Sequence, residues 1–217
     1  MYQGIIFDLD GTLLNTLYDL SDSVNQALRK YRYAEHSSDE YKKMIGGGFY
    51  NLIERSLPEE ARSGEIIEKV LDEFLSVYDK NYINRTVPYD GIQELVGQLA
   101  EKGIKLGVNS NKRTDYTQAL IQKFFPETDF VAIFGNCKEY PKKPDPVAAL
   151  EIASRMGLAP EKVVYIGDSK TDMLTGENAG MDTIGVTWGF RDEDELRKYN
   201  ATKVVYNPRE ILEYICI

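Results

Sequence analysis

The chain alternates two textures of apolar and polar positions. From about residue 86 onward, short runs rich in Val, Ile and Phe alternate with segments of helical periodicity. The runs cover residues 104–108 (IKLGV), 130–135 (FVAIFG), 162–167 (KVVYIG), 182–188 (DTIGVTW) and 203–207 (KVVYN). One more run, Ile5-Ile6-Phe7, stands apart near the start. Near-continuous β-branched runs spaced by helices predict a parallel sheet covered on both faces. Asp145-Pro146 reads as a helix start, with Asp as cap and Pro in the first helical position, and Gly157 as its close. Asn207-Pro208 opens the last helix in the same way.

Residues 15–85 differ. Leu17, Leu20, Val24, Ala27, Leu28 and Tyr31 recur at helical spacing, as do Ile66, Ile67, Val70, Leu71, Phe74, Leu75, Tyr78 and Tyr82. No strand-like run interrupts them. The expected organisation is an α/β domain of residues 1–14 and 86–217, its first strand separated from the rest by an all-helical domain of residues 15–85.

Composition narrows the classes. The 217 residues carry 26 Lys and Arg against 35 Asp and Glu, a formal charge of −9, which argues against a sequence-independent nucleic-acid binder. It does not argue against small anionic substrates, because one local site can supply cations. No apolar stretch approaches a membrane span, and the chain starts on a strand-like run rather than a leader pattern. Cys137 and Cys216 are isolated thiols without metal-ligand spacing, so a reducing, cytoplasmic setting is expected. His36 is the only histidine, which disfavours a Ser-His-Asp triad or a His-rich zinc site.

The chemistry gathers at predicted strand ends. Asp8 and Asp10 follow Ile5-Ile6-Phe7 directly, and alternate residues of an extended segment point to one face. At the carboxyl edge of an open α/β sheet, where ligands bind, two carboxylates ~4 Å apart repel by roughly 4 kcal/mol at an effective dielectric of 20. That is about three pKa units, so a cation is called for. Gly11 and Thr12 then permit a tight turn whose N–H groups would face an anion. A capped strand end is the plain alternative for such a pair by itself.

Three further segments bear on the choice. Asp168 and Asp172 in GDSKTDM (167–173) again place acids at a strand end, one in the loop and one on the next helix. With Asp8 they would make an all-oxygen site for a hard cation such as Mg2+; the alternative is an ordinary helix cap. Ser110 and Asn111 in VNSNKR (108–113) fall where a strand is expected to give way to a helix, a place suited to phosphate. In YPKKPDP (140–146) prolines stiffen the backbone around Lys142 and Lys143. An exposed basic loop is the alternative there.

In this order the segments resemble the haloacid dehalogenase superfamily phosphatases with a helical cap inserted after the first motif. FDLDGTL (7–13) matches the first motif, Ser110 the second, Lys143 in KPDP the third and GDSKTD (167–172) the fourth. The resemblance implies a doubly wound, mostly parallel, Rossmann-like α/β core. It also implies Asp8 as nucleophile forming an aspartyl-phosphate, and Asp10 as the acid and then base. Ser110 and Lys143 would bind the transferring phosphoryl group, with Gly11, Thr12 and Asn111 beside it. Mg2+ would be held by the Asp8 carboxylate, the Asp10 carbonyl and Asp168, with Asp172 in support. Asn15-Thr16 departs from the Asp-Ser common at this hinge, a change that touches the cap more than the chemistry.

MIGGGFYNLI (44–53) has three glycines in a row, and Gly47 and Gly48 are candidate substrate contacts, with a helix–helix connection as the alternative. Arg55, Lys42 and Lys43 are further candidates, and Tyr18, Tyr50 and Trp188 read better as packing residues than as pocket aromatics. The glycine-containing segment resembles that of phosphoglycolate phosphatase-like members, which implies a small phosphorylated acid as substrate. A β-phosphoglucomutase-like phosphomutase or a pyrophosphatase of the same superfamily would share all four motifs. A receiver domain would place its acceptor Asp on a mid-chain strand and be about half this size; a non-catalytic relative would not need every position filled. The expected partners are a small phosphorylated metabolite, with neither nucleic acid nor membrane, for a monomer or homodimer.

Overall fold

The computed structural model describes residues 1–215. Cys216 therefore lies outside the described residues, and Cys137 is a half-buried free thiol. In chain order, strand β1 (Gly4–Phe7) leads through a turn to the short strand β2 (Leu14–Asn15). Four helices follow: α1 (Leu17–Lys30), α2 (Ser38–Met44), α3 (Phe49–Ser56) and α4 (Gly64–Asn81). The chain returns through β3 (Val87–Pro88), which pairs with β2.

Then come α5 (Ile92–Glu101), β4 (Lys105–Arg113), α6 (Thr114–Phe124), β5 (Phe130–Asn136) and α7 (Val147–Met156). The chain continues with β6 (Val163–Gly167), α8 (Lys170–Asn178) and β7 (Asp182–Val186). It closes with α9 (Glu193–Lys198), β8 (Lys203–Val205) and α10 (Pro208–Ile215). Two compact units result: Asn15–Val87, and Met1–Leu14 together with the chain from Pro88.

The larger unit is built on a six-stranded sheet in the order β5-β4-β1-β6-β7-β8, paired in parallel throughout. Ile5, Ile6 and Phe7 of β1 alternate faces, yet each is 0% exposed, so both faces are covered. Helix α7 packs Ala149, Ile152 and Met156 onto Ile6, Ala132 and Tyr165. Because β1 is central and parallel to its neighbours, β4 and β6, the loops after all three leave one edge of the sheet. Strand order reverses at β1, the place where such sheets hold ligands.

Helix starts follow the sequence with one shift. Pro146 caps α7 rather than entering it, while the Asp145 carboxylate accepts from Val147 N at 3.0 Å. Gly157 closes α7 with φ of 65°. The Asn207 side chain accepts from Glu210 N at 3.3 Å at the start of α10.

In the smaller unit α1 packs on α4 through Leu20, Val24 and Leu28 and through Ile67, Val70, Phe74 and Tyr78. Tyr31, just past the end of α1 and 38% exposed, still reaches α4, donating from Oη to the Lys69 carbonyl at 3.3 Å, and Tyr82 lies against Tyr78 with ring centroids 6.0 Å apart. Buried Asp19 accepts from the N–H groups of Arg85 and Thr86 and from Thr86 Oγ1, all within 2.8–3.0 Å, which ties the unit's first helix to its last segment. His36 bonds the Ser56 carbonyl at 2.8 Å, a structural task. Gly47 and Gly48 lie in the α2–α3 connection; Gly48 caps α3 with φ of 84°, and a Cβ on Gly47 would meet Asn51 Oδ1 at 2.3 Å. Tyr18 lies under the Arg85 guanidinium at 4.1 Å, and Tyr50 is 41% exposed. No helix among the described residues is long and apolar enough to cross a membrane.

Candidate active site

Asp8 is the first residue beyond β1, and its N–H bonds the Ile166 carbonyl at 2.9 Å, so its backbone is held by the neighbouring strand β6. Its carboxylate is almost fully buried and accepts from Lys143 Nζ at 2.6 Å. The same ammonium donates to Asp172 Oδ1 at 2.7 Å. The other Asp172 oxygen accepts from Ser169 N and Oγ at 3.1 and 2.7 Å, closing a capping box at the start of α8. Both readings of Asp172 thus hold at once: it caps its helix and faces the acids.

Asp168 completes a buried group. One oxygen of each of Asp8, Asp168 and Asp172 lies within 4.8 Å of the others, and the trio could hold a metal ion. Asp168 Oδ2 accepts from Phe190 N at 2.6 Å. Close backbone fixes this placement. A Cβ on Gly11, whose φ is +89°, would come within 2.3 Å of Asp168 Oδ2; one on Gly189 would come within 2.3 Å of Asp168 Cβ; and one on Gly167 within 2.2 Å of Asp172 Cβ.

The electrostatics fit a cation site. Burial pushes the Asp8 carboxyl well above the usual range; Lys143 pulls it back in part, and Asp172 and Asp168 push it further. Asp168 is pushed up to about 7, first by burial and next by the Asp172 charge, against the Phe190 N–H. Burial alone would discharge Lys143, but the Asp172 and Asp8 carboxylates outweigh it and hold the ammonium above the ordinary lysine range. Three crowded, buried carboxylates against one ammonium leave excess negative charge, which an oxygen-seeking divalent cation relieves.

The second motif sits differently from expectation. Strand β4 does not end at Val108; it runs to Arg113 and α6 starts at Thr114, so Ser110 and Asn111 belong to a strand extension, not a helix N-terminus. The cause is continued pairing with β5, where Arg113 partners Asn136 after a register shift. Ser110 Oγ accepts from Lys112 N at 3.2 Å, a bond that leaves its own O–H to donate. The Asn111 carboxamide clamps Lys143 from both sides, accepting from its N–H at 2.9 Å and donating to its carbonyl at 3.3 Å. The Asn111 side chain is thus engaged with the backbone of Lys143.

The turn after Asp10 also corrects the expectation for Gly11 and Thr12. Their N–H groups bond the Leu14 and Leu9 carbonyls at 2.9 and 3.3 Å, so the turn itself consumes them. The Thr12 hydroxyl is buried with no partner in the structure, while the Thr12 carbonyl accepts from Trp188 Nε1 at 3.1 Å. Two contributors escaped the sequence reading. Lys112, its side chain fully buried, donates to Asp10 Oδ1 and Oδ2 at 2.9 and 3.2 Å. The segment after β7 encloses Asp168 through Gly189 and Phe190, whose only sequence signal was their place at another strand's carboxyl end.

The fold and site define a parallel α/β protein with a buried Asp, a lysine and an acidic trio at the switch point of its sheet. The comparisons name the family. Residues 5–186 match the profile of the haloacid dehalogenase-like hydrolases, and the chain belongs to that family. It is 31% identical over 219 residues to the phosphoglycolate phosphatase of Psychrobacter arcticus, covering 98% of this chain and 95% of the relative. It is 29% identical over 218 residues to the N-acetylmuramic acid 6-phosphate phosphatase of Pseudomonas aeruginosa, covering 98% and 94%. A crystal structure from Lactobacillus delbrueckii subsp. bulgaricus, provisionally named as a phosphoglycolate phosphatase, superposes with TM-score 0.94 at 31% identity over 99% of this chain and 98% of that one. These relatives are consistent with a phosphoric monoester hydrolase.

Proposed function

We propose that this protein hydrolyses the phosphate monoester of a small hydroxy acid, with phosphoglycolate first among the candidates, through a phosphoryl group carried by Asp8. The observation that carries the reaction class is the Asp8–Lys143 contact beside the acidic trio. The substrate class rests on the relatives, whose two named substrates are both phosphorylated acids.

Asp8 attacks phosphorus as the ester P–O bond breaks, and Asp10 gives the leaving alkoxide its proton. Asp10 then takes a proton from a water whose oxygen bonds to phosphorus as the Asp8 O–P bond breaks, which releases inorganic phosphate and restores the Asp8 carboxylate. Lys143 and Ser110 neutralise the phosphoryl oxygens, where charge is stabilised most effectively. Asp8, Asp168 and Asp172, with the Asp10 carbonyl, would hold Mg2+, which when bound supplies fixed positive charge at the transferring group. The test is phosphate release from phosphoglycolate, N-acetylmuramic acid 6-phosphate, hexose phosphates and pyrophosphate, with Mg2+ or with chelator. Mg2+-dependent turnover led by the acid phosphates is expected; turnover led by pyrophosphate, or isomerised hexose phosphate, would reject the substrate class.

The acidic trio also predicts a pH-dependent stability. Asp168 sits near 7 in the fold against an ordinary value of 3.8, so the folded state keeps a proton that the unfolded chain has lost. Stability from this group is complete below ~4 and falls as pH rises towards 7, by an amount of the order of 4 kcal/mol at 1.36 kcal/mol per pH unit. In chelator the thermal midpoint is expected to drop over that window. Mg2+ is expected to raise the midpoint most above pH 7, through a stabilisation of about 2.7 kcal/mol at 100 times the Kd. A Mg2+ effect independent of pH would contradict the assignment.

A further inference from the structure

The structure assigns to Lys112 the task of holding the Asp10 carboxylate where it exchanges protons with the leaving group and with water, so that Lys112 is a positioning residue for both half-reactions. The inference rests on the acid and base role proposed above for Asp10. Four observations carry it. The Lys112 side chain is 0% exposed, while that of Asp10 is 13% exposed. A buried ammonium is costly to desolvate unless it is paired, so its place needs a purpose that an exposed lysine would not.

The pairing is two-pronged: Nζ reaches Oδ1 at 2.9 Å and Oδ2 at 3.2 Å, which restricts rotation of the carboxylate as a single contact would not. The backbone that delivers this side chain is itself fixed. Lys112 N donates to Ser110 Oγ, and its carbonyl accepts from Thr117 Oγ1 at 3.3 Å. Gly135 lies so close that a Cβ there would be 2.6 Å from the Lys112 carbonyl.

The fourth observation is a division of labour between two lysines. Lys143 takes Asp8 and Asp172, whereas Lys112 takes Asp10. The two carboxylates of the first motif are thereby held apart by separate cations, one at each. The extension of β4 beyond Val108 places Ser110 and Lys112 two residues apart in extended backbone, so one segment supplies both a phosphoryl contact and the hold on the proton carrier.

The test uses p-nitrophenyl phosphate, whose leaving group departs without a proton donor, beside phosphoglycolate, whose alkoxide needs one. Asp8 phosphorylation then requires no help from Asp10, whereas the second step still does. In Lys112→Met and Lys112→Gln, a stoichiometric burst of p-nitrophenolate should precede steady turnover slowed by about 100-fold, within the range of general acid–base catalysis. Phosphoglycolate turnover should fall at least as far, with KM nearly unchanged. Adding Lys112→Met to Asp10→Asn should cost nothing further, since the residue acts through Asp10.

Loss of the burst in both Lys112 variants while Asp10→Asn keeps it would overturn the inference, because Lys112 would then serve phosphorylation of Asp8. Wild-type turnover in both would overturn it equally. Wild-type turnover in Asp10→Asn would instead reject the underlying role of Asp10. Circular dichroism and the thermal midpoint identify any variant that fails to fold, and the Gln variant, which keeps a donor, serves where Met does not.

Discussion

Lys143→Met is expected to abolish turnover and to lower the unfolding free energy by roughly 3–5 kcal/mol, the range for removing one partner of a buried ion pair. The ammonium lies 2.6 Å from Asp8 and 2.7 Å from Asp172, and those acids share their enclosure with Asp168. Without it, three carboxylates are left buried together. The loss should be largest near pH 7 and above, where ionisation is demanded, and should shrink as pH falls towards 4, because burial makes Asp8 and Asp168 take up protons well above the ordinary carboxylate range and less charge remains to be paired. Urea unfolding in chelator at pH 4 and pH 7 measures both values. Equal stability of variant and wild type at pH 7 would mean that the pairing carries no net energy.

Asp8→Asn is expected to act in the opposite sense on stability while being as severe on activity. Turnover should fall on the order of 10⁴-fold or more, as for removal of a nucleophile in other enzymes. The thermal midpoint in chelator should be no lower than that of the wild type. Burial already pushes the Asp8 carboxyl well above its usual range, so ionising it opposes folding. An asparagine oxygen still accepts from Lys143 without adding charge. A site kept for function at the expense of stability behaves in this way. Residual turnover within about tenfold of wild type would remove Asp8 from the chemistry, and a strong fall in midpoint would mean that it is mainly a structural anchor.

The division between what the sequence disclosed and what it did not has a physical cause. Strands announced themselves because a doubly covered parallel sheet leaves few polar positions, and Ile5-Ile6-Phe7 or Val163-Val164-Tyr165-Ile166 have no other use. The acids were legible for the converse reason: carboxylates directly after such runs must sit at the sheet's edge. Local spacing could not disclose how far β4 continues. That depends on β5 still offering a partner at Asn136, and it decides whether Lys112 is surface or interior. Lys112 itself, between Asn111 and Arg113, carries no local mark of burial.

The fate of single hydrogen bonds was equally hidden. Gly11 and Thr12 looked like donors to an anion, yet the turn closes on Leu9 and Leu14. Asn111 looked like a phosphate ligand, yet the backbone of Lys143, 32 residues away, takes its side chain. Phe190 N meets Asp168 across 22 residues. Contacts of that range follow from the packing of α8 and β7, not from any neighbouring pattern.

If Asp8 carries the phosphoryl group, the adduct can be trapped on it. The most direct measurement is rapid acid quench of the Asp10→Asn variant with p-nitrophenyl phosphate and Mg2+, followed by peptide mass spectrometry. Slowing the second step should let the adduct accumulate. One phosphoryl group per chain is expected on the peptide containing Asp8, and none when Asp8→Asn is added. A phosphoryl group on any other residue, or p-nitrophenolate release in the first turnover with no adduct on that peptide, would contradict that role for Asp8.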